Sequence, residues 1–241
     1  MNGPLRIFIG YDSHEAVAYH VLASSILRRA TIPIAIVPLT RLSLGRLYTR
    51  PRGPTEATEF SLTRFLVPAL SDYQGISVFM DCDMLCHVDM LELWLELLAQ
   101  PGKAVWCCQH DYVPKALTKF EGHEQTTYPR KNWSSFLAFD NAKCTALTLD
   151  YVNKATGLEL HRFHWLKDET EIGTLPLTWN WLVGEYEPNP GAKVLHYTNG
   201  TPCFQPYADC DHADRWWAEY REMLKPAQSV EQALPKGILR A

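Results

Sequence analysis

Short apolar runs alternate with amphipathic stretches through the first half of the chain. Leu5–Gly10 (LRIFIG) reads as a buried strand ending at Gly10. Asp12 and Ser13 are N-cap types, and His14 to Arg29 then reads as a helix with Ala16, Val17, Tyr19, Ala23 and Leu27 near helical spacing. Arg28 and Arg29 fall in its last turn, where cations suit the helix dipole. Ile34–Leu39 is a second strand, and 41–58 a polar loop rich in Gly, Pro and Thr. Glu59 to Leu70 is predicted helical, ending near Pro68. Ile76–Met80 is a third strand that runs straight into Asp81, Met90–Leu98 a leucine-rich amphipathic helix, and Lys103–Cys108 a fourth strand. The second half is less regular. Phe136–Phe139 reads as a short strand, 143–156 as a helix, Val194–Tyr197 as a strand and 211–224 as a helix closed by Pro226, with a frayed tail to Ala241.

This order predicts an α/β fold, a mostly parallel central sheet with helices on its faces. In such sheets ligands bind beyond the carboxyl ends of the strands. Two acidic residues stand at such ends, Asp12 after the first strand and Asp81 after the third.

The chain has 241 residues, 46% hydrophobic and 21% charged, which suits one large domain or two small ones and excludes collagen, coiled coil and disorder. There is no internal repeat. The formal net charge is -4 and no Lys/Arg run is present, which argues against a nucleic-acid partner. An anionic ligand would therefore need positive charge gathered locally, from a few arginines, helix N-termini or a metal ion. No secretory signal and no stretch long enough for a transmembrane segment is expected. Asn2 stands where N-myristoylation needs a glycine, and no prenylation box is found; peripheral membrane association stays open. Seven cysteines without a Cys-x-x-Cys pair point to reduced thiols and a cytoplasmic setting, against zinc.

Phe79-Met80-Asp81-Cys82-Asp83-Met84-Leu85 is the most informative segment. Two carboxylates one residue apart can converge on one point where the backbone bends at a strand end. Such oxygen ligands suit hard cations such as Mg2+ and Mn2+. The bland alternative is a turn capping the strand. Arg64 lies on the helix before the strand, Asp89-Met90-Leu91-Glu92-Leu93-Trp94 follows the pair, and His196-Tyr197-Thr198-Asn199-Gly200-Thr201-Pro202 ends a late strand. His196 could supply a nitrogen ligand beside the two aspartates.

The set resembles a metal-dependent nucleotide-sugar glycosyltransferase of the GT-A fold, closest to the glycosyltransferase family 8, glycogenin-like group. The likeness runs from Ile7 to about Phe204. It implies one glycosyltransferase domain over 1–241: a nucleotide-binding half (1–110), a sugar and acceptor half (111–225) and a tail (226–241). It implies transfer of a hexose from a UDP-sugar to a saccharide or other hydroxyl acceptor, with Mn2+ or Mg2+ and with retention. Retention would come from front-face attack assisted by the leaving phosphate or from a covalent intermediate on a carboxylate.

Residue by residue, the resemblance puts Tyr11 and Asp12 at the nucleoside, with Asp12 accepting from the uracil ring; a helix N-cap is the compatible plain reading. Arg64 falls near the diphosphate. Asp81 would contact ribose or sugar and ligate the metal, and Asp83 and His196 would be its main ligands. Lys131-Asn132-Trp133-Ser134 resembles an Asn-x-Gly segment beside the transferred sugar, with Ser134 in place of the Gly. Leu175-Pro176-Leu177-Thr178-Trp179-Asn180 matches a further motif. Upstream of it, Asp168 or Glu169 is the candidate carboxylate beside the anomeric carbon, against a plain solvated acidic loop.

One departure matters. The group usually continues its late His segment with a Lys that pairs the diphosphate, and here no such Lys follows Gly200 and Thr201. Backbone N–H groups near Gly200 and the Thr201 hydroxyl could still hold a phosphate. Trp165, Trp179, Trp181, Trp216 and Trp217 could stack on an acceptor sugar, although core packing explains most tryptophans. The rival readings are a haloacid-dehalogenase-like phosphatase with Asp81 as nucleophile, a GT-A-fold nucleotidyltransferase lacking its Gly- and Arg-rich loop, and a non-catalytic nucleotide-sugar-binding module.

Overall fold

The computed structural model describes residues 3–53, 56–115, 118–119, 123–124 and 129–225; the tail expected over 226–241 lies outside the described residues, as does Asn2. Along the chain the strands are β1 (Leu5–Tyr11), β2 (Ile34–Thr40), β3 (Ile76–Met80), β4 (Met84–Cys86), β5 (Val105–Cys108), β6 (Thr118–Lys119), β7 (His123–Glu124), β8 (Phe136–Asp140), β9 (Ile172–Leu175), β10 (Trp181–Leu182) and β11 (Val194–His196). The α-helices are α1 (Ala16–Leu27), α2 (Arg41–Leu44), α3 (Val67–Leu70), α4 (Met90–Leu98), α5 (Leu149–Lys154), α6 (Gly157–His161) and α7 (Ala213–Met223).

The central sheet has the order β2-β1-β3-β8-β5-β9. Every pairing in it is parallel except those of β8, which runs antiparallel to both β3 and β5. Leu5, Ile7, Phe8 and Ile9 of β1 are all buried, as expected of a strand covered on both faces. Because β8 reverses direction, β5 and β9 again run parallel to β1 and β3. The carboxyl ends of β1, β3, β5 and β9 therefore share one edge of the sheet.

A smaller sheet, β10-β11-β4, extends this edge. There β11 is antiparallel to β4, with His196 opposite Met84. Leu85, Leu195, Tyr197 and Trp216 close a second apolar cluster between this sheet, α1 and α7. Arg28 and Arg29, expected only to complement the α1 dipole, reach across to Glu219 of α7 at 3.1 and 2.9 Å.

Three helices differ from the sequence expectation, each for a local reason. The expected helix 59–70 shrinks to a 3-10 turn, Thr63–Leu66, followed by α3. The Thr58 N–H donates to Ser61 Oγ (3.2 Å), and that hydroxyl bonds back to the Thr58 carbonyl (2.9 Å), which competes with helical pairing. Pro68 has no N–H to continue the turn and sits instead in the first turn of α3, where none is needed. The expected helix 143–156 is reduced to α5, because Thr148 caps it from inside, and Thr156 then starts α6 with a capping box to Glu159. The expected helix 211–224 begins only at Ala213, after His212 in the left-handed region. The loop expected from Arg41 opens instead on α2, capped by the Thr40 side chain. Trp179 and Trp216 are fully buried, which is the packing explanation of those two tryptophans.

Candidate metal and donor site

The site is assembled where β3 ends. β3 delivers Asp81 at the shared carboxyl edge, and the chain turns through Cys82 and Asp83 into β4. Two backbone bonds hold this turn: Asp81 N donates to Ser135 O (3.0 Å) and Tyr197 N donates to Asp83 O (2.9 Å). The pairing of β4 with β11 then sets His196 beside Asp83, with Nε2 3.2 Å from Asp83 Oδ1. One ligand atom each from Asp81, Asp83 and His196 lies within 4.8 Å of the others.

Arg64 is 6% exposed and approaches from the 3-10 turn. Its Nη1 lies 2.9 Å from Asp81 Oδ1 and donates to Ser134 O (2.8 Å). The guanidinium sits over the rings of Phe79 (4.8 Å) and Phe60 (5.6 Å), which fixes its plane. Phe60 in turn leans on Gly10: a Cβ there would meet its ring at 2.4 Å, so position 10 of β1 must be glycine for Phe60 to support Arg64.

The expected residues divide by where the fold puts them. Asp81, Asp83, His196, Arg64 and Ser134 come together. Asn132 adopts a left-handed backbone and donates through Nδ2 to Tyr112 Oη (2.7 Å) and Thr198 Oγ1 (3.4 Å), just past His196. Tyr11 closes β1, its ring set edge-on to Tyr19 at 5.4 Å. Asp12 is buried, and both its oxygens accept backbone bonds, from His14 N and Glu59 N at 3.0 Å each. It carries the N-cap role the sequence also allowed. Gly200 has φ +147° and lies against the Tyr207 ring, and the buried Thr201 hydroxyl is 3.1 Å from Cys203 Sγ.

Asp168 and Glu169 are not brought to this cluster. They precede β9 and so lie at its amino end, the edge of the sheet opposite Asp81. β9 is also three strand spacings from β3, roughly 14 Å at about 4.8 Å each. Asp168 caps a 3-10 turn through Thr170 N (2.7 Å), and Glu169, 82% exposed, pairs with Arg130. The plain acidic-loop reading describes them.

Several side chains in the site carried no expectation. Glu15 is 3% exposed and accepts from Cys82 Sγ (3.4 Å). Burial first, then the charges of Asp83, Asp12 and Asp81, push its carboxyl well above the usual range. Burial beside His196 pushes His110 down to about 3, while its Nδ1 lies 2.9 Å from Tyr186 Oη. Asn180, fully buried, lies 2.8 Å from His196 Nδ1 through Oδ1. A charged residue in a helical first turn hides Glu15 in the sequence, and Asn180 shows itself only as the last letter of a motif.

These atoms fit a hard divalent cation. The donor set is two carboxylates and one imidazole, and buried Asp83 Oδ1 receives no hydrogen bond. Carboxylates of Asp12, Glu15, Asp81 and Asp83 crowd this corner, where Arg64 pairs with Asp81, so the local charge calls for further positive charge.

No family model matches the chain. Protein CDI of Arabidopsis thaliana is 47% identical over 231 residues, 92% of this chain and 88% of that protein. The chain belongs to the Protein CDI family. Among solved structures, this CDI-family chain is similar to the bifunctional glycosyltransferase WbbM (TM-score 0.58, 17% identity, 91% of this chain). It is also similar to the glycosyltransferase GlyE of Streptococcus pneumoniae TIGR4 (TM-score 0.59, 13% identity, 91% of this chain). It spans 50% of the WbbM chain and 60% of the GlyE chain. The galactosyltransferase LgtC, solved with donor and acceptor sugar analogs, matches over 95% of this chain and 100% of its own (TM-score 0.56, 11% identity). At these identities the likeness establishes a GT-A-type fold. Among the described residues no helix is long and apolar enough to cross a membrane.

Proposed function

We propose that this chain is a glycosyltransferase that moves a hexose from a UDP-sugar to a saccharide or other hydroxyl acceptor, dependent on Mn2+ or Mg2+ and retaining the anomeric configuration. The observation that carries the reading is the meeting of Asp81, Asp83 and His196 within 4.8 Å at the carboxyl edge of a GT-A-type sheet. A divalent cation held by these three would neutralise charge on the departing nucleoside diphosphate.

The chain's own groups have separate tasks. Arg64 orients Asp81 and adds a fixed guanidinium beside the leaving group, in a chain without the usual late Lys. Tyr11 and the buried end of β1 face the nucleoside. Asn132, with Tyr112 and Thr198, lines the sugar side. Front-face attack assisted by the leaving phosphate needs no enzymic nucleophile, which agrees with Asp168 and Glu169 lying at the opposite edge. The GT-A-type likeness of the fold favours the transferase over the phosphatase reading. The acceptor, the cytoplasmic setting and the two functional halves of the chain are parts of the same proposal.

Thermal stability with UDP alone, Mn2+ alone and both together tests it. The reading expects UDP to raise the melting temperature only when Mn2+ is present, and expects the Asp83→Ala variant to lose that rise. Equal stabilisation with and without Mn2+ points to a metal-free binding module, and no stabilisation at all removes the nucleotide-sugar reading.

A further inference from the structure

Asn180 is the end of the 3-10 turn Leu177–Asn180, and it has no exposed surface. Its Nδ2 donates to Ser135 Oγ (2.8 Å) and to Asn132 O (3.3 Å). A backbone carbonyl only accepts, and Ser135 Oγ donates its own proton to that same carbonyl (2.8 Å). The amide orientation is therefore fixed: nitrogen toward Asn132 and Ser135, oxygen toward His196. An amide oxygen also only accepts, so His196 Nδ1 must carry a proton to bond Asn180 Oδ1 at 2.8 Å. The neutral ring then carries a lone pair on Nε2, the atom that faces Asp83 Oδ1 at 3.2 Å.

We propose that Asn180 is a positioning residue that holds His196 in the Nδ1–H tautomer, so that Nε2 is presented with Asp83 and Asp81 as a preformed acceptor set for a divalent cation. The inference rests on the metal-site reading given above, and adds to it a residue that never touches the ion. Two acceptors face each other across 3.2 Å with no proton between them in the neutral state, an arrangement that a cation relieves. Ligating histidines commonly have the other ring nitrogen fixed by such a partner, and its loss weakens metal binding about 10- to 100-fold. Asn180 also clamps the carbonyl of Asn132, whose left-handed backbone aims Nδ2 at Tyr112 and Thr198. One buried amide thus joins the cation ligand to the sugar-facing segment.

Two measurements test this on the full-length protein. Long-range proton–nitrogen NMR of the metal-free chain at alkaline pH reads the His196 tautomer directly. The Nδ1–H form is expected, and a predominant Nε2–H form overturns the proposal. Titration with Mn2+ alone, following free Mn2+ by electron paramagnetic resonance, then compares Asn180→Asp with Asn180→Leu. Asp keeps an acceptor for Nδ1–H, so its Mn2+ affinity should equal or exceed that of the unmodified chain. Leu removes the acceptor, so its affinity should fall about 10- to 100-fold. Both variants lose the amide donor to Asn132 and Ser135, so both should lower the metal-free melting temperature. A merely structural role predicts parallel losses of Mn2+ affinity in the two, which would overturn the proposal, as would unchanged affinity in Leu. If Asn180→Leu does not fold, Asn180→Ser, too short to reach Nδ1, takes its place. Failure of the unmodified chain to bind Mn2+ sinks the metal-site reading itself, whereas binding that is indifferent to residue 180 sinks only the role of Asn180.

Discussion

Replacing Arg64 with Met removes the guanidinium while keeping most of the side-chain length between Phe60 and Phe79. Asp81, only 14% exposed, then loses the guanidinium at 2.9 Å and stays beside Asp83 and Glu15. Breaking a buried ion pair from one side costs about 3–5 kcal/mol, because the remaining charge stays desolvated. A domain of this size shifts its melting temperature by about 2–4 °C per kcal/mol, so a fall of about 6–20 °C is expected. Asp81→Asn added to Arg64→Met removes the stranded charge and should recover at least about 2 kcal/mol. Urea titrations of the unmodified chain, both single variants and the double variant, in the presence of a chelator, give the coupling energy. Added Mn2+ should stabilise Arg64→Met more than the unmodified chain, since the cation then compensates Asp81 alone. A loss below about 1 kcal/mol for Arg64→Met, or additivity within about 0.5 kcal/mol, refutes the claim that this pair organises the site.

Gly10→Ala drives a Cβ into the Phe60 ring at 2.4–2.9 Å, and overpacking of this kind should cost about 1–3 kcal/mol in chemical denaturation. Asp168→Ala and Glu169→Ala should leave glycosyl transfer within about threefold of the unmodified chain, less than about 0.7 kcal/mol of barrier; a loss of a hundredfold in initial rates would restore their catalytic assignment. His110 is held near 3 by burial and His196, and His87 near 4 by burial and Arg215. Both folded values lie below the ordinary 6.5, so the folded state binds fewer protons. The stability they protect is complete above about pH 6.5 and is lost as pH falls toward 3–4. For His110 the drop from 6.5 to about 3, at about 1.36 kcal/mol per unit, bounds the effect near 5 kcal/mol, so His110→Gln should flatten the acid limb of a stability–pH curve. An unchanged acid limb in that variant contradicts the placement of His110.

What the sequence made legible follows from chemistry that is local. Leu5–Gly10 and Ile76–Met80 are apolar on both faces, so their burial and strand character needed no tertiary knowledge. Asp81 and Asp83 are one residue apart at a strand end, so their convergence needed only a bend. His196 was reachable because it ends another strand, although the antiparallel pairing of β4 with β11 that brings it to Asp83 is a long-range event. The reversed strand β8 was not legible, since an apolar run such as Phe136–Phe139 carries no sign of direction. That reversal and the position of β9 decide which edge Asp168 and Glu169 occupy, a placement that no motif likeness carries. Glu15 and Asn180 were hidden for a different reason. Their roles come from burial, and a Glu in a first turn or an Asn after a Trp reads as ordinary surface until the packing is seen.

The central claim is that Asp81, Asp83 and His196 hold a cation used to release a nucleoside diphosphate from a sugar. Its most direct test is UDP release from a panel of UDP-sugars by the unmodified chain and by Asp83→Ala, each with Mn2+ and with excess chelator. The account predicts UDP release from at least one UDP-sugar, seen only with Mn2+ and abolished in Asp83→Ala. UDP release that survives both the chelator and the substitution would contradict it.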